Sequence, residues 1–215
     1  MKNYLCSALI LLAMVSCDNK KEAVKTSYKT PDMKLASDVM TPEVLWSFGR
    51  IGSVSVSPDQ KTLLYDVTYF NKEEDRSYSD IYVMNLADGK SQQLTDTDYK
   101  EFGETWTSDG KIAFMSSKSG SVQLWEMNAD GSGLTQLTNV EGGIGGFIFS
   151  PDKSKLLFLK DVKLEQDVHD LHPDLPKANA RLIDGQVYRH WNDWVEAYTH
   201  PFVADYIPGQ MVTTG

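Results

Sequence analysis

The sequence predicts an all-β fold, an incomplete β-propeller of about three four-stranded antiparallel blades. Three observations carry this expectation. The chain is similar to itself at a fixed offset: Met84-Asn85 recurs as Met127-Asn128, Leu94-Thr95 as Leu137-Thr138 and Asp109 as Asp152, each pair 43 residues apart. Ser53-Val54-Ser55-Val56-Ser57 alternates with a period of two, as a half-buried strand does. Turn chemistry recurs between such runs, in Ser57-Pro58-Asp59-Gln60, Ala87-Asp88-Gly89-Lys90 and Asp130-Gly131-Ser132-Gly133. A repeat of roughly 40–45 residues built from short strands marks propeller blades. Propellers use about four to eight blades, and 215 residues of this pattern hold three at most. The chain is therefore expected to be the leading piece of a longer protein, or to close by oligomerising, because a partial ring leaves sheet edges and blade faces uncovered.

The elements follow in order. Residues 1–16 read as a signal peptide: Lys2 supplies a positive start, and Leu5 to Val15 is an apolar run of 11 residues, shorter than the roughly 20 a bilayer span needs. Met14-Val15-Ser16-Cys17 resembles the bacterial lipobox. That resemblance implies cleavage before Cys17, lipid attachment to it, and a place in the bacterial cell envelope, facing the periplasm or the cell surface. Cys6 falls in the removed segment, so the mature chain keeps no cysteine for a disulfide, a metal cluster or a thiol nucleophile. Residues 17–40 are polar and Lys-rich and read as a flexible tether. Thr41-Pro42-Glu43 starts a short helix, with Thr41 as N-cap and Pro42 in the first position. Gly49 is expected to stop it after Phe48, with Val44, Leu45 and Phe48 on one apolar face.

Blade one spans about 50–97. Its strands are expected at Ser53–Ser57, Thr62–Tyr69, Asp80–Leu86 and Ser91–Thr95, with Asn71 to Ser79 as a charged excursion. Blade two, about 102–140, repeats the plan at Gly103–Thr107, Lys111–Ser116, Val122–Asn128 and Leu134–Thr138. Blade three, 143–215, opens with Gly143–Ser150 and Ser154–Lys160. An insertion, 161–200, interrupts it. Pro201–Tyr206 resumes as its third strand, Ile207-Pro208-Gly209-Gln210 is its turn, and the chain ends within its fourth strand.

Composition narrows the function classes. The chain is 41% hydrophobic and 24% charged, with a net charge of −9. That is ordinary for a globular protein and argues against a nucleic-acid partner, which needs clustered Lys and Arg. His169 and His172 lie three apart, but Pro173 argues against a helix that would set them on one face, and no HExxH occurs. No metal and no cofactor are expected. Gly142-Gly143-Ile144-Gly145-Gly146 lacks the Lys and the strand-turn-helix setting of a phosphate loop, and reads as a tight connection between blades.

The insertion holds the most specific sequence. Asp174-Leu175-Pro176-Lys177-Ala178-Asn179-Ala180-Arg181 and Tyr188-Arg189-His190-Trp191, taken with Thr41-Pro42-Glu43-Val44-Leu45-Trp46, resemble the prolyl oligopeptidase family of serine peptidases. The bacterial dipeptidyl-peptidase and acylaminoacyl-peptidase-like members are the most similar, over about residues 40–215. The resemblance implies an N-terminal propeller that covers the active site and admits short peptides. It also implies a C-terminal α/β-hydrolase domain with a Ser-Asp-His triad and a GxSxG nucleophile elbow. No GxSxG occurs in these 215 residues. No catalytic residue is therefore assigned, the hydrolase domain is expected as a partner outside this chain, and no peptidase activity is expected from the chain alone.

Tyr188, His190, Trp191, Trp194 and Tyr198 form an aromatic cluster in and beside the insertion. It reads as packing against the propeller or as a wall of a substrate cavity. Asp193-Trp194-Val195-Glu196 resembles the acidic motif by which some dipeptidyl peptidases hold a substrate amine, with Ala197 where that motif has a second Glu. The candidate substrate-gating residues are thus Tyr188, His190, Trp191, Trp194 and Glu196, and the candidate lipidation site is Cys17. The competing readings are a non-catalytic Tol-type periplasmic propeller that binds partners and a secreted glycan-binding propeller.

Overall fold

The computed structural model describes residues 28–29, 35, 37–163, 165–183 and 194–214. The expected leader, Cys17 and most of the expected tether lie outside these. Helix α1 (Pro42–Ser47) begins as expected, with the Thr41 hydroxyl accepting the Val44 N–H at 3.3 Å. Its end differs. Phe48 terminates it in extended backbone (φ −71°, ψ 133°), and Gly49 has no left-handed conformation. Gly49 is needed for space, since a Cβ there would lie 2.7 Å from Val67 Cγ1. The expected apolar face stays open: Leu45 and Phe48 are 51% and 49% exposed. Trp46 is the residue that packs, edge-on against Phe70 at 5.3 Å.

Blade one is a four-stranded antiparallel sheet of β1 (Arg50–Val56), β2 (Thr62–Asn71), β3 (Arg76–Asn85) and β4 (Ser91–Gln93), in that order. The expected excursion at Asn71–Ser79 is mostly strand. The β2–β3 register runs unbroken from Thr62↔Asn85 to Asn71↔Arg76, because Tyr69, Phe70 and Tyr78 favour extended backbone over the charged turn residues beside them. Cross-strand pairs support the extension, among them Thr68 Oγ1 with Ser79 Oγ at 2.7 Å. Residues 72–75 alone form the tip, where Asp75 adopts φ 49°.

Blade two has the same order: β5 (Glu101–Trp106), β6 (Ile112–Ser116), β7 (Gln123–Met127) and β8 (Thr135–Gln136), followed by β9 (Thr138–Val140). Blade three contains β10 (Gly146–Phe149), β11 (Lys155–Lys163) and, beyond the insertion and its one-turn helix α2 (Val168–Leu171), β12 (Ala197–Asp205). The β11–β12 hairpin pairs from Lys155↔Asp205 out to Lys163↔Ala197, so the insertion is narrower than 161–200. Pro201 sits inside β12 opposite Leu159. An edge strand tolerates the missing donor.

The final strand departs from expectation. β13 (Val212–Thr214) does not extend blade three but pairs in parallel with β9, and the Val212 N–H donates to the Leu137 carbonyl at 2.8 Å. Burial decides this. Val212 enters the core shared with Leu137 and Val140, after a turn in which Gly209 takes φ 80°.

The strands of blade two show how the blades stack. All five residues of β6 are buried. Ile112 and Phe114 join Leu64 and Ile81 of blade one in one cluster, with Met127 of β7. Ala113 and Met115 join Leu156 and Phe158 of blade three in another. Alternate side chains of a strand point to opposite faces, so blade two is sandwiched between its neighbours.

Two hydrogen-bonding devices account for the repeat. In the first, a hydroxyl bonds an aspartate two residues on and caps the next strand. Ser57 Oγ meets Asp59 at 2.6 Å, Thr107 Oγ1 meets Asp109 at 2.5 Å and Ser150 Oγ meets Asp152 at 2.6 Å. The partner of Asp109 is thus Thr107 rather than Ser108. The hydroxyl holds its aspartate as the anion, and the Ser150 contact lowers Asp152 to about 2. The residue after each aspartate is left-handed: Gln60 (φ 60°), Gly110 (φ 79°) and Lys153 (φ 57°). In the second device, the threonine of Gln-Leu-Thr accepts a backbone N–H from the third strand. Thr95 Oγ1 takes that of Ile81 and Thr138 Oγ1 that of Leu124, both at 2.9 Å. The Gln93 and Gln136 amides each return to the threonine carbonyl at 2.6 Å.

Thr138 is fully buried and also donates to Gln123 Oε1 at 2.8 Å. Thr138→Val, nearly isosteric, removes the acceptor of the Leu124 N–H and one of the two donors to Gln123 Oε1, which keeps the Val140 N–H at 3.0 Å. It should destabilise the protein by about 1–3 kcal/mol in chemical denaturation, whereas exposed Thr135→Val should change stability by less than about 0.5 kcal/mol.

Candidate functional site

Three places gather chemically capable side chains. The first is the seam between the first strands of blades one and two. Both strands carry an irregularity in register, between Ile51 and Val54 in β1 and between Phe102 and Thr105 in β5. A glycine enables each. A Cβ on Gly52 would lie 2.3 Å from Asp66 Oδ2, and Gly103 adopts φ 64°. Bulges re-aim side chains, and these bring Ser53 and Glu104 together with Asp66. The Ser53 N–H donates to Asp66 Oδ1 at 2.8 Å, and its hydroxyl lies 3.0 Å from that oxygen and 2.8 Å from Glu104 Oε1. Glu104 is 4% exposed. Burial pushes its carboxyl up to about 7, and the neighbouring Asp66 adds to the shift. A protonated Glu104 turns its otherwise undonated Oε2 into a donor, and the Asp66 carboxylate is the acceptor at hand. Glu104 can thus hold a proton at the seam between two blades. Glu101, 2% exposed, is also raised, first by burial and further by Asp80.

The second place is the seam between blades two and three. Lys153 donates to Asp109 Oδ1 at 2.6 Å and to Glu126 Oε2 at 3.3 Å, and Lys111 donates to Glu126 Oε1 at 2.6 Å. The Lys153 ammonium also sits over the Phe149 and Tyr206 rings, at 5.4 and 5.7 Å. Its left-handed turn position puts a blade-three cation onto blade-two acids. A cleft of about 390 Å³ runs beside it between β5 and β10, walled by Trp106, Phe147 and Phe149.

The third place is the end of the blades from which the hairpin tips project. By the repeat, β2–β3 and β11–β12 are equivalent hairpins, so the 72–75 tip and the insertion share one end. A cleft of about 780 Å³ lies there against α1, walled by Trp46, Phe70 and Tyr99 and bordered by Lys72, Arg76 and Lys100. At the neck of the insertion, Arg181 pairs with Glu196 and lies over the Trp194 ring at 5.0 Å.

The order of strands, the stacking and the insertion invite comparison with known proteins. No family model matches the chain. It is 44% identical over 177 residues, 82% of its length, to "Dipeptidyl-peptidase 5" of Porphyromonas gingivalis, of which it covers 26%. It is 34% identical over 209 residues, 96% of its length, to the protein of the same name from Porphyromonas endodontalis, of which it covers 30%. The acylaminoacyl peptidase of Pyrococcus horikoshii superposes with a TM-score of 0.55 at 17% identity, over 75% of this chain and 24% of that one. The chain is a propeller portion of the prolyl oligopeptidase family. It spans between a quarter and a third of the length of its curated relatives, and the superposition speaks for the fold alone.

Several sequence-predicted residues of this propeller portion, Cys17, Tyr188, His190 and Trp191, lie outside the described residues. Trp194 and Glu196 are brought together, but through Arg181, the last residue of the Asp174–Arg181 motif. A substrate amine reaching Glu196 would have to displace that guanidinium. His169 lies within α2, contrary to the expectation that Pro173 bars a helix there. Proline restricts only the residue before it, and His172 is accordingly the non-helical C-cap (φ −131°, ψ 67°). Among the described residues no group of three His, Cys, Asp or Glu could hold a metal. The glycine run behaves as expected: Gly142 and Gly143 take φ 79° and 87° in the connection from β9 to β10.

The Ser53–Asp66–Glu104 site was not foreseen. The available signal was a glycine inside each first strand, Gly52 and Gly103, a mark of bulges or close approach. The raised Glu104 sets a pH dependence. Below about pH 4.5 folded and unfolded chains both hold this proton. As pH rises, the unfolded chain ionises first, so stability falls until about pH 7, where the folded acid ionises too. Glu104→Gln should remove a fall on the order of 3 kcal/mol, leaving the part due to Glu101. Denaturation curves between pH 4 and 8 measure it.

Proposed function

We propose that this chain is the propeller of a lipid-anchored serine exopeptidase of the bacterial cell envelope, where it scaffolds and gates a hydrolase domain acting on short peptides. The observation that carries the proposal is the 44% identity over 177 residues to a dipeptidyl-peptidase of which the chain covers only 26%. The remaining length of such a relative has room for an α/β-hydrolase, a domain of ordinary size.

The chemistry agrees with this division of labour. The described residues offer no Ser or Cys nucleophile paired with a histidine base; the Ser53 hydroxyl faces two acids, which cannot activate it as a neighbouring imidazole would. What the chain supplies is form: stacked blades, tips projecting from one end, and an insertion whose neck is closed by Arg181, Trp194 and Glu196. A propeller over a catalytic cleft selects by size, because a folded protein cannot enter where an extended short peptide can. Cys17 would carry the lipid, with residues 17–40 as tether.

The protein encoded by the whole gene should contain a GxSxG motif beyond residue 215 and release dipeptides or acyl-amino acids from short peptides while leaving folded proteins intact. Residues 1–215 alone should release nothing. Further blades without such a motif, and no hydrolysis, would favour the Tol-type reading. Cys17→Ser should move the protein from the membrane to the soluble fraction and remove the lipid mass; an unchanged distribution would contradict the anchor.

A further inference from the structure

We propose that the cleft between α1 and the β2–β3 tip binds a small carboxylate with an apolar group beside it, of the kind a short peptide presents at its free C-terminus. The choice of a peptide as the source rests on the function proposed above; the choice of a carboxylate rests on the cleft itself.

Three cations line this cleft and a fourth, Arg50, stacks on two of its wall rings, in a chain of net charge −9. Arg50 lies over the Trp46 and Phe70 rings, its Cζ 4.9 and 4.5 Å from their centroids. Arg76 lies over Tyr78 at 5.2 Å and donates through Nη2 to the Asp98 carbonyl at 3.1 Å. Lys72 and Lys100 border the opening. None of the four makes an ion pair with a described residue, although most of the ion pairs elsewhere join lysines to carboxylates of this chain. Asp75 and Asp98 line the same cleft, so its surplus of positive charge is modest and suits a singly charged ligand better than a polyanion.

The arginines are pre-positioned. Stacking on aromatic faces holds a guanidinium in place while leaving its edge free to hydrogen-bond. Arg76 spends one N–H group on a backbone carbonyl and keeps others for a carboxylate. Beside these edges, the aromatic walls Trp46 and Tyr99 are each 39% exposed. A volume of about 780 Å³ falls in the range of small-molecule sites. The cleft shares its end of the blades with the insertion.

Binding of 3-phenylpropanoate and of its primary amide to the protein encoded by the whole gene, followed by NMR titration, tests this. Neither probe has a peptide bond, so the result does not depend on peptidase activity, and a failure here would leave the peptidase reading standing. The acid should bind about tenfold or more tightly than the amide, as a charge-assisted bond allows. Arg76→Gln combined with Lys100→Gln should abolish that preference, and Trp46→Ala should weaken both probes, while Lys90→Gln on a distant turn changes neither. Acetyl-aspartate α-amide, a side-chain carboxylate without an aromatic group, should bind more weakly than phenylpropanoate. Equal binding of acid and amide, retention of the preference in the double variant, an aspartyl probe as good as the aromatic one, or no binding at all would each overturn the proposal.

Discussion

The structure depends on one strand being buried on both faces. In β6, Ile112 and Phe114 face blade one while Ala113 and Met115 face blade three. A four-stranded sheet this small cannot bury both faces by itself, so each blade is stabilised by the next, as in other repeat arrays. The contrast within the chain is sharp. β6 is buried along its length, whereas Ile51, Val54 and Val56 of β1 are more than half exposed, and so are Ile148 and Val203 in blade three. Burial rises where a blade has two neighbours and falls where it has one.

The polar devices give that stack its regularity. A sheet contributes its own ladder of backbone bonds, but the groups at the ends of its strands need other partners. The Gln-Leu-Thr device meets this need at the fourth strand, and the hydroxyl-x-Asp turn meets it between the first and second. The fourth-strand device recurs after 43 positions, and the turn after 50 and then 43. A core position accepts several apolar side chains of suitable size, whereas a hydroxyl that must reach one N–H accepts few substitutes. The seams are polar as well. Ser53, Asp66 and Glu104 join blades one and two, and Lys153, Glu126 and Asp109 join blades two and three. Blade pairs are thus held by apolar faces and aligned by polar groups at the seams, one by the Ser53 hydroxyl set between Asp66 and Glu104 and the other by Lys153.

This explains what could be read in advance. The blade plan, the turns and the helix start at Thr41 depend on local chemistry at fixed offsets, and they were legible. The β2–β3 extension was obscured because charged residues at the 72–75 tip masked the strand formers Tyr69, Phe70 and Tyr78. The pairing of β13 with β9 was illegible for a different reason: it depends on where Val212 finds a buried partner, and that lies in another blade. The acid pair joins residues from three strands, with 51 positions between Ser53 and Glu104, and only the glycines that allow the bulges mark it. Of the insertion, the pairing of Arg181 with Glu196 links the Asp174–Arg181 motif to the acidic stretch that ends at Glu196, yet neither names the other as its partner.

Double-mutant cycles across β6 test the stacking most directly. Truncating Phe114 and Leu64 to alanine, singly and together, should give a coupling of about 0.5–3 kcal/mol, and so should Met115 with Phe158. Phe114 with Phe158, on opposite faces of blade two, should be additive within about 0.5 kcal/mol. Strong coupling of Phe114 to Phe158 with none to Leu64 would mean that these strands enclose a single core, as in a sandwich or closed barrel, and would contradict the account.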